Sequence, residues 1–185
     1  MLQRKSLIAA ALVATALIAP ATQARELVYG AWVSPKHPVI AQSLPILFKG
    51  VEKETNGAIK WKMIAGGQLV NGRGTLTGVR DGLIDAGFGI PAYTPNNIPA
   101  INLVYSTLIF GENVVAASGA STEAILLNCP QCISELKKSK AVFLGGYSVT
   151  PFKLICRSRI SSLADIKGKK VRGAGGGVYL LRDAG

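Results

Sequence analysis

Glu26-Leu-Val-Tyr-Gly-Ala-Trp32, Ser34-Pro-Lys-His-Pro38, Val39 to Thr55 and Ala58-Ile-Lys-Trp-Lys-Met-Ile64 follow one another as strand, loop, helix and strand. The first run is β-rich, and two prolines in the next five residues forbid regular structure there. Between Val39 and Thr55, Ile40, Leu44, Leu47, Phe48 and Val51 share one helical face, and Asn56-Gly57 supplies the stop. Pro45 inside that span predicts a kink or a late start. In the last run Ile59, Trp61 and Met63 alternate with Lys60 and Lys62, the period of a half-buried strand. A strand–helix–strand unit of this length is the seed of an α/β fold.

Downstream, the alternation continues. Gly66-Gly67-Gln68-Leu69 reads as a tight turn, a polar helix runs to about Asp81, and Ala86 to Ile90 fits a short buried strand. Pro91 to Pro99 is a loop, and Leu103 to Phe110 fits strand or helix equally. Asn113 to Asn128 is helical, and Cys129-Pro-Gln-Cys132 opens a second helix ending at Lys138. Ala141 to Tyr147, Phe152 to Cys156 and Lys170-Val-Arg172 read as strands. Ser162-Leu-Ala-Asp165 matches a capping box, and Gly173-Ala-Gly-Gly-Gly177 leads into a helix from Val178.

Composition bounds the function. The 185 residues are 49% hydrophobic, with 21 Lys+Arg, 10 Asp+Glu, one His and three Cys. Such a chain buries a core and is not disordered. Leu7 to Ala21 is almost wholly apolar, follows Arg4-Lys5 and runs into small residues at Ala24. That is a secretory signal peptide over residues 1–24, shorter than the ~20 apolar residues of a membrane span. Losing Arg4 and Lys5 leaves 19 basic against 10 acidic side chains, a net charge of +9. In an exported protein this favours an anionic small molecule or an acidic surface over nucleic acid. The runs Lys137-Lys138-Ser139-Lys140 and Lys167-Gly168-Lys169-Lys170 lack aromatics for base stacking and read as solvated faces.

Leu27 to Pro38 (LVYGAWVSPKHP), Thr55 to Leu69 (TNGAIKWKMIAGGQL), Val79 to Gly87 (VRDGLIDAG) and Ser162 to Arg172 (SLADIKGKKVR) occur in one order. Together they resemble the extracytoplasmic solute-binding subunit of TRAP transporters, the DctP-like family. The resemblance implies a two-lobed α/β clamp of the type II periplasmic-binding-protein kind. Lobe I would span residues 25–148 and an incomplete lobe II residues 149–185, family members being substantially longer. It further implies a periplasmic, non-enzymatic protein without a cofactor, which captures an organic acid and hands it to an ion-driven TRAP permease.

In the family an Arg on the short strand after the SLxDLKG turn grips the ligand carboxylate, and Arg172 occupies that position. The rigid guanidinium fork matches both carboxylate oxygens, which a lysine cannot do. The glycines after Arg172 offer backbone N–H groups ahead of a helix. Phe152 stands where some members carry a second Arg, so a two-Arg grip is not implied, and an apolar or aromatic acid becomes an alternative to a compact diacid.

Further candidates come from position. Open α/β folds place ligands at the carboxyl ends of strands. Trp32 and His37 follow the first strand, Gln68 and Arg73 the second, Tyr93 and Asn96 the third. With His37 the single histidine, a His-cluster metal site is excluded. The rival reading is a thiol–disulfide oxidoreductase built on Cys129-Pro-Gln-Cys132. This CxxC lies between two helical stretches rather than after a strand, and a structural Cys129–Cys132 disulfide is the default in an exported chain. Cys156 is then left over, free or paired with a further cysteine. Gly173-Ala-Gly-Gly-Gly177 fails the dinucleotide pattern because Val178 replaces its third glycine.

Overall fold

A computed structural model describes residues 24–107, 111–149, 151, 153–173 and 176–183. The signal peptide assigned to residues 1–24 (except Ala24) and the candidate Phe152 therefore lie outside the described residues. So do Ala174 and Gly175 of the glycine run.

Strand β1 (Arg25–Gly30) lies between β2 (Ile59–Ile64) and β3 (Ala86–Gly87), and both pairings are parallel. Helix α1 (Leu44–Glu54) makes the crossover from β1 to β2. Its late start follows from Pro45, which occupies the first turn, where no N–H is needed. The preceding Val39–Ser43 forms a π-turn in which the Leu44 N–H reaches back to the Val39 carbonyl. Helix α2 (Thr75–Arg80) precedes β3, which is two residues long rather than the five read from Ala86 to Ile90. Gly87 must be glycine here: a Cβ would stand 2.6 Å from Thr75 Cγ2 and 2.9 Å from Ile84 Cδ1.

Three helices follow: α3 (Pro99–Thr107), α4 (Val114–Leu127) and α5 (Pro130–Lys138). The ambiguous Leu103 to Thr107 is helical, within α3. Asn113 caps α4, its side chain accepting the Val115 and Ala116 N–H groups. Helix α3 is capped from a distance: both Glu135 oxygens accept the Ala100 N–H at 3.0 and 3.1 Å, and Ile101 N–H adds a longer bond at 3.4 Å. Glu135 is only 6% exposed, a carboxylate buried because it meets the orphan donors of a helix N-terminus.

Two apolar clusters hold this together. Tyr29, Ala31, Ile40, Leu44, Ala65, Ala86 and Phe88 pack on one face of the sheet, and Ile98, Ile101, Ile125, Cys132 and Leu136 among the helices. Each fully buried aliphatic side chain contributes about 1.5–3 kcal/mol. Cys129 and Cys132 are joined by a disulfide, with Cys132 completely buried in the second cluster and Cys129 capping α5.

Ala141 to Tyr147 is not a strand, contrary to its β-rich sequence. It lines a cavity of about 580 Å³ together with β3 and bonds to α4. Gly146 N–H donates to Thr122 Oγ1 and Ser148 N–H to Ser118 Oγ. Lys153 to Cys156 and Lys170 to Arg172 are likewise irregular, since a strand exists only with a hydrogen-bonded neighbour. The Ser162–Asp165 turn does form: Asp165 accepts the Ser161 and Ser162 N–H groups over a 3-10 turn at Leu163–Asp165. Helix α6 (Gly176–Asp183) follows.

Candidate functional site

The strand order β2-β1-β3 sends the chain from β1 to one side and then back past it to the other. The reversal leaves a crevice at the carboxyl ends of β1 and β3, where open α/β sheets bind ligands. The residues emerging there are aromatic. Trp32, two residues after β1, donates from Nε1 to the Phe88 carbonyl at 2.9 Å. Their ring centres are 6.1 Å apart; His37 lies 5.6 Å and Tyr147 5.5 Å from Phe88, and Tyr93 lies 5.5 Å from Trp32. Phe88 is buried, whereas Trp32, His37, Tyr93 and Tyr147 are half-buried, and of these four only Tyr147 lines the 580 Å³ cavity.

Each ring is held from behind. The 3-10 turn at Pro91–Tyr93 sets Tyr93 against Gly72, where a Cβ would meet Tyr93 Cδ2 at 2.8 Å and Trp32 Cε2 at 3.2 Å. His37 Nδ1 accepts the Val39 N–H at 3.3 Å, fixing its ring at the foot of the π-turn. The bonds from residues 146 and 148 to α4 hold Tyr147 over Phe88.

Tyr147, Tyr29 and Tyr105 hold their hydroxyl protons more tightly than a free tyrosine. Burial, reinforced by Tyr105, pushes Tyr147 up to about 12, and burial with Tyr147 nearby does the same to Tyr29. Tyr105 is raised by burial and then by Tyr93. Phe88, Thr94, Tyr105 and Tyr147 line this end of the 580 Å³ cavity. Among the described residues no group of three or more His, Cys, Asp or Glu side chains comes together to hold a metal.

Of the residues expected from sequence, Trp32, His37 and Tyr93 are brought into this aromatic cluster. Asn96 is exposed on the turn before α3. Gln68 bonds its own turn, donating from Nε2 to the Ala65 carbonyl, and lines a separate shallow pocket with Pro35 and Met63. Arg73 is exposed in a turn closed by Asn71, whose Oδ1 accepts its N–H. Arg172 is exposed on an irregular segment and does not line the cavity. Sequence reasoning passed over Phe88 and Tyr147. The strand-end rule that selected Tyr93 would have reached Phe88 had β3 been read as ending at Gly87; no local signal marks Tyr147.

Residues 29–179 match the DctP family, described as bacterial extracellular solute-binding protein, family 7. No curated protein matches the chain. Among solved structures, a TRAP periplasmic solute-binding protein from Desulfovibrio salexigens is similar at a TM-score of 0.70 and 24% identity, over 88% of this chain and 49% of that one. Another from Bordetella bronchiseptica, with bound (R)- and (S)-mandelate, is similar at 0.67 and 25% identity, over 87% and 50%. A TRAP solute-binding protein from Rhodoferax ferrireducens in complex with benzoate is similar at 0.50 and 23%, over 61% and 34%. The chain thus spans about half the length of the first two, taking in one lobe and part of the other. With its parallel α/β lobe, its strand-end crevice and a match over residues 29–179, the chain belongs to the DctP family of bacterial extracellular solute-binding proteins.

Proposed function

We propose that the chain binds a small organic acid in the periplasm and presents it to a TRAP-type permease, without chemistry on the ligand. The supporting observation is the crevice at the carboxyl ends of β1 and β3, opening onto a 580 Å³ cavity in a fold of the solute-binding family. Residues 25–148 serve as lobe I, and residues 149–185 begin lobe II. Ligand bridges the lobes and shifts an open–closed equilibrium toward the closed form that the permease recognises. Closure carries Arg172, now exposed, onto the ligand carboxylate, with the glycine-rich start of α6 as a second anion-favouring element. Trp32, His37 and Tyr93 are the lobe I candidates for ligand contact, Asn96 and Arg73 lie in exposed turns, and the ligand-contact role of Gln68 and Phe152 rests on the sequence alone. A redox role for Cys129 and Cys132 is disfavoured by the complete burial of Cys132, since reactive thiols sit in accessible, electropositive surroundings.

The test is a thermal-shift screen of the chain against mono- and dicarboxylates, repeated on two variants. Arg172→Ala should weaken binding by a few kcal/mol and Arg172→Lys by less, as a desolvated ion pair requires. Equal stabilisation by ligand in wild type and Arg172→Ala would remove that residue from the site.

A further inference from the structure

Cys129-Pro-Gln-Cys132, which ligand capture leaves unused, occupies a mechanical position in the fold. Only Asn128 and Cys129 separate α4 (Val114–Leu127) from α5 (Pro130–Lys138), so the motif forms the elbow between the two helices. Cys129 is the N-cap of α5, its sulfur accepting the Cys132 N–H at 3.1 Å, and the disulfide ties it across the first turn to Cys132. Cys132, Glu135 and Leu136 share one helical face, at spacings of three and four residues. All three are buried, Cys132 completely. Cys132 and Leu136 pack with Ile98, Ile101 and Ile125, while Glu135 caps α3 at Ala100 and Ile101. A cross-linked elbow thus stands one turn before a buried capping carboxylate. From this juxtaposition we propose that the disulfide is a redox-sensitive lock: oxidised, it holds α5 where Glu135 meets α3, and reduction by a dithiol uncaps α3.

The effect reaches the cavity, because Ile101, Val104 and Tyr105 of α3, Ile125 of α4 and Leu136 of α5 all line it. Helix ends fray, and a cross-link over the first turn removes the frayed conformations that α5 would otherwise visit. Without it, movement of Cys132 carries along the face that bears Glu135. The sulfur chemistry follows from exposure. Cys129 is half-buried and Cys132 wholly buried, so the thiolate of the dithiol attacks Cys129 Sγ. The S–S bond breaks, and Cys132 Sγ leaves with the electron pair and takes a proton. The second thiolate of the dithiol then displaces Cys129 as a thiol and closes the dithiol's own disulfide. Two electrons and two protons pass to the chain. Such a lock acts on packing and catalyses no exchange, in keeping with the burial of Cys132, and it stands independently of the acid-binding reading.

Hydrogen exchange at single amides tests this on the chain in a Cys156→Ser background, where Cys129 and Cys132 are the remaining cysteines. Two treatments break the bond: dithiothreitol, verified by thiol titration, and Cys129→Ser, which keeps an N-cap oxygen and the buried Cys132. Each should speed exchange at Ala100 and Ile101 about tenfold, with amides of the β1–β2 ladder changing less than about twofold. Glu135→Ala in the oxidised chain should have the same effect, and combining it with Cys129→Ser should add little, because both act through one cap. Unchanged exchange at Ala100 and Ile101 once the bond is broken would overturn the lock, as would effects of the two substitutions that multiply. A uniform rise that includes the β1–β2 ladder would also overturn it, since that is loss of general stability. A disulfide left intact by dithiothreitol in the folded chain would overturn its redox sensitivity.

Discussion

The indole N–H of Trp32 donates to the carbonyl of Phe88 at 2.9 Å, tying the chain just past β1 to the chain just past β3. The two strands pair over only two residues, so this side-chain bond extends their contact into the crevice. Thr75 Oγ1 approaches the same carbonyl at 3.5 Å, a weaker partner. Trp32→Phe keeps the ring and removes the donor; it should cost about 0.5–1.5 kcal/mol, read from urea denaturation midpoints. A change below the error of the midpoint would mean that the bond does not hold the strand ends together.

Glu135 is the buried acceptor for the first turn of α3. Its replacement by alanine leaves the Ala100 N–H without a partner inside the helical cluster, at a cost of about 1–3 kcal/mol. Glu123→Ala, at an exposed position of α4, should stay within about 0.5 kcal/mol. Equal effects in the two variants would contradict the capping role.

Gly72 gives Tyr93 and Trp32 room to sit edge to face. Gly72→Ala pushes a methyl into the Tyr93 ring, and overpacking of this kind costs about 1–3 kcal/mol. Because the displaced ring belongs to the crevice wall, ligand affinity should fall along with the melting temperature. Affinity at the wild-type value would show that Tyr93 moves without consequence for binding.

The raised tyrosines set an alkaline limit. Tyr29 and Tyr147 ionise near 12 in the folded protein and near 10 when unfolded. The folded state therefore holds these protons more tightly, and the stability they contribute is fully present below pH 10 and lost as pH climbs toward 12. Thermal unfolding temperatures should be flat with respect to these groups up to pH 10 and fall above it, with Tyr147→Phe flattening the decline. An identical alkaline slope in that variant would assign the limit to other groups.

Much of the secondary structure was legible before any coordinates. Period-two alternation at Ile59, Trp61 and Met63, the stop at Asn56-Gly57, and the helices read from Asn113 and from Cys129-Pro-Gln-Cys132 rest on local signals, and local structure obeys them. Pro45 delays its helix for the same short-range reason. Elements that depend on a neighbour were misread. Ala141 to Tyr147 and Lys170 to Arg172 have strand-like composition, but a strand needs a hydrogen-bonded partner, and none pairs with them among the described residues.

The site divides in the same way. Trp32, His37 and Tyr93 are candidates because chain position alone places residues at strand ends, and the motif order alone identified the family. That Trp32 bonds Phe88 across 56 residues, that Tyr147 stacks on Phe88, and that Glu135 reaches the start of α3 follow from how the crossovers return. Backbone preferences and capping act over a few residues and are written in sequence. Which rings pack together, and which carboxylate reaches a distant helix start, is decided by packing between segments far apart in the chain, and only the folded molecule records that.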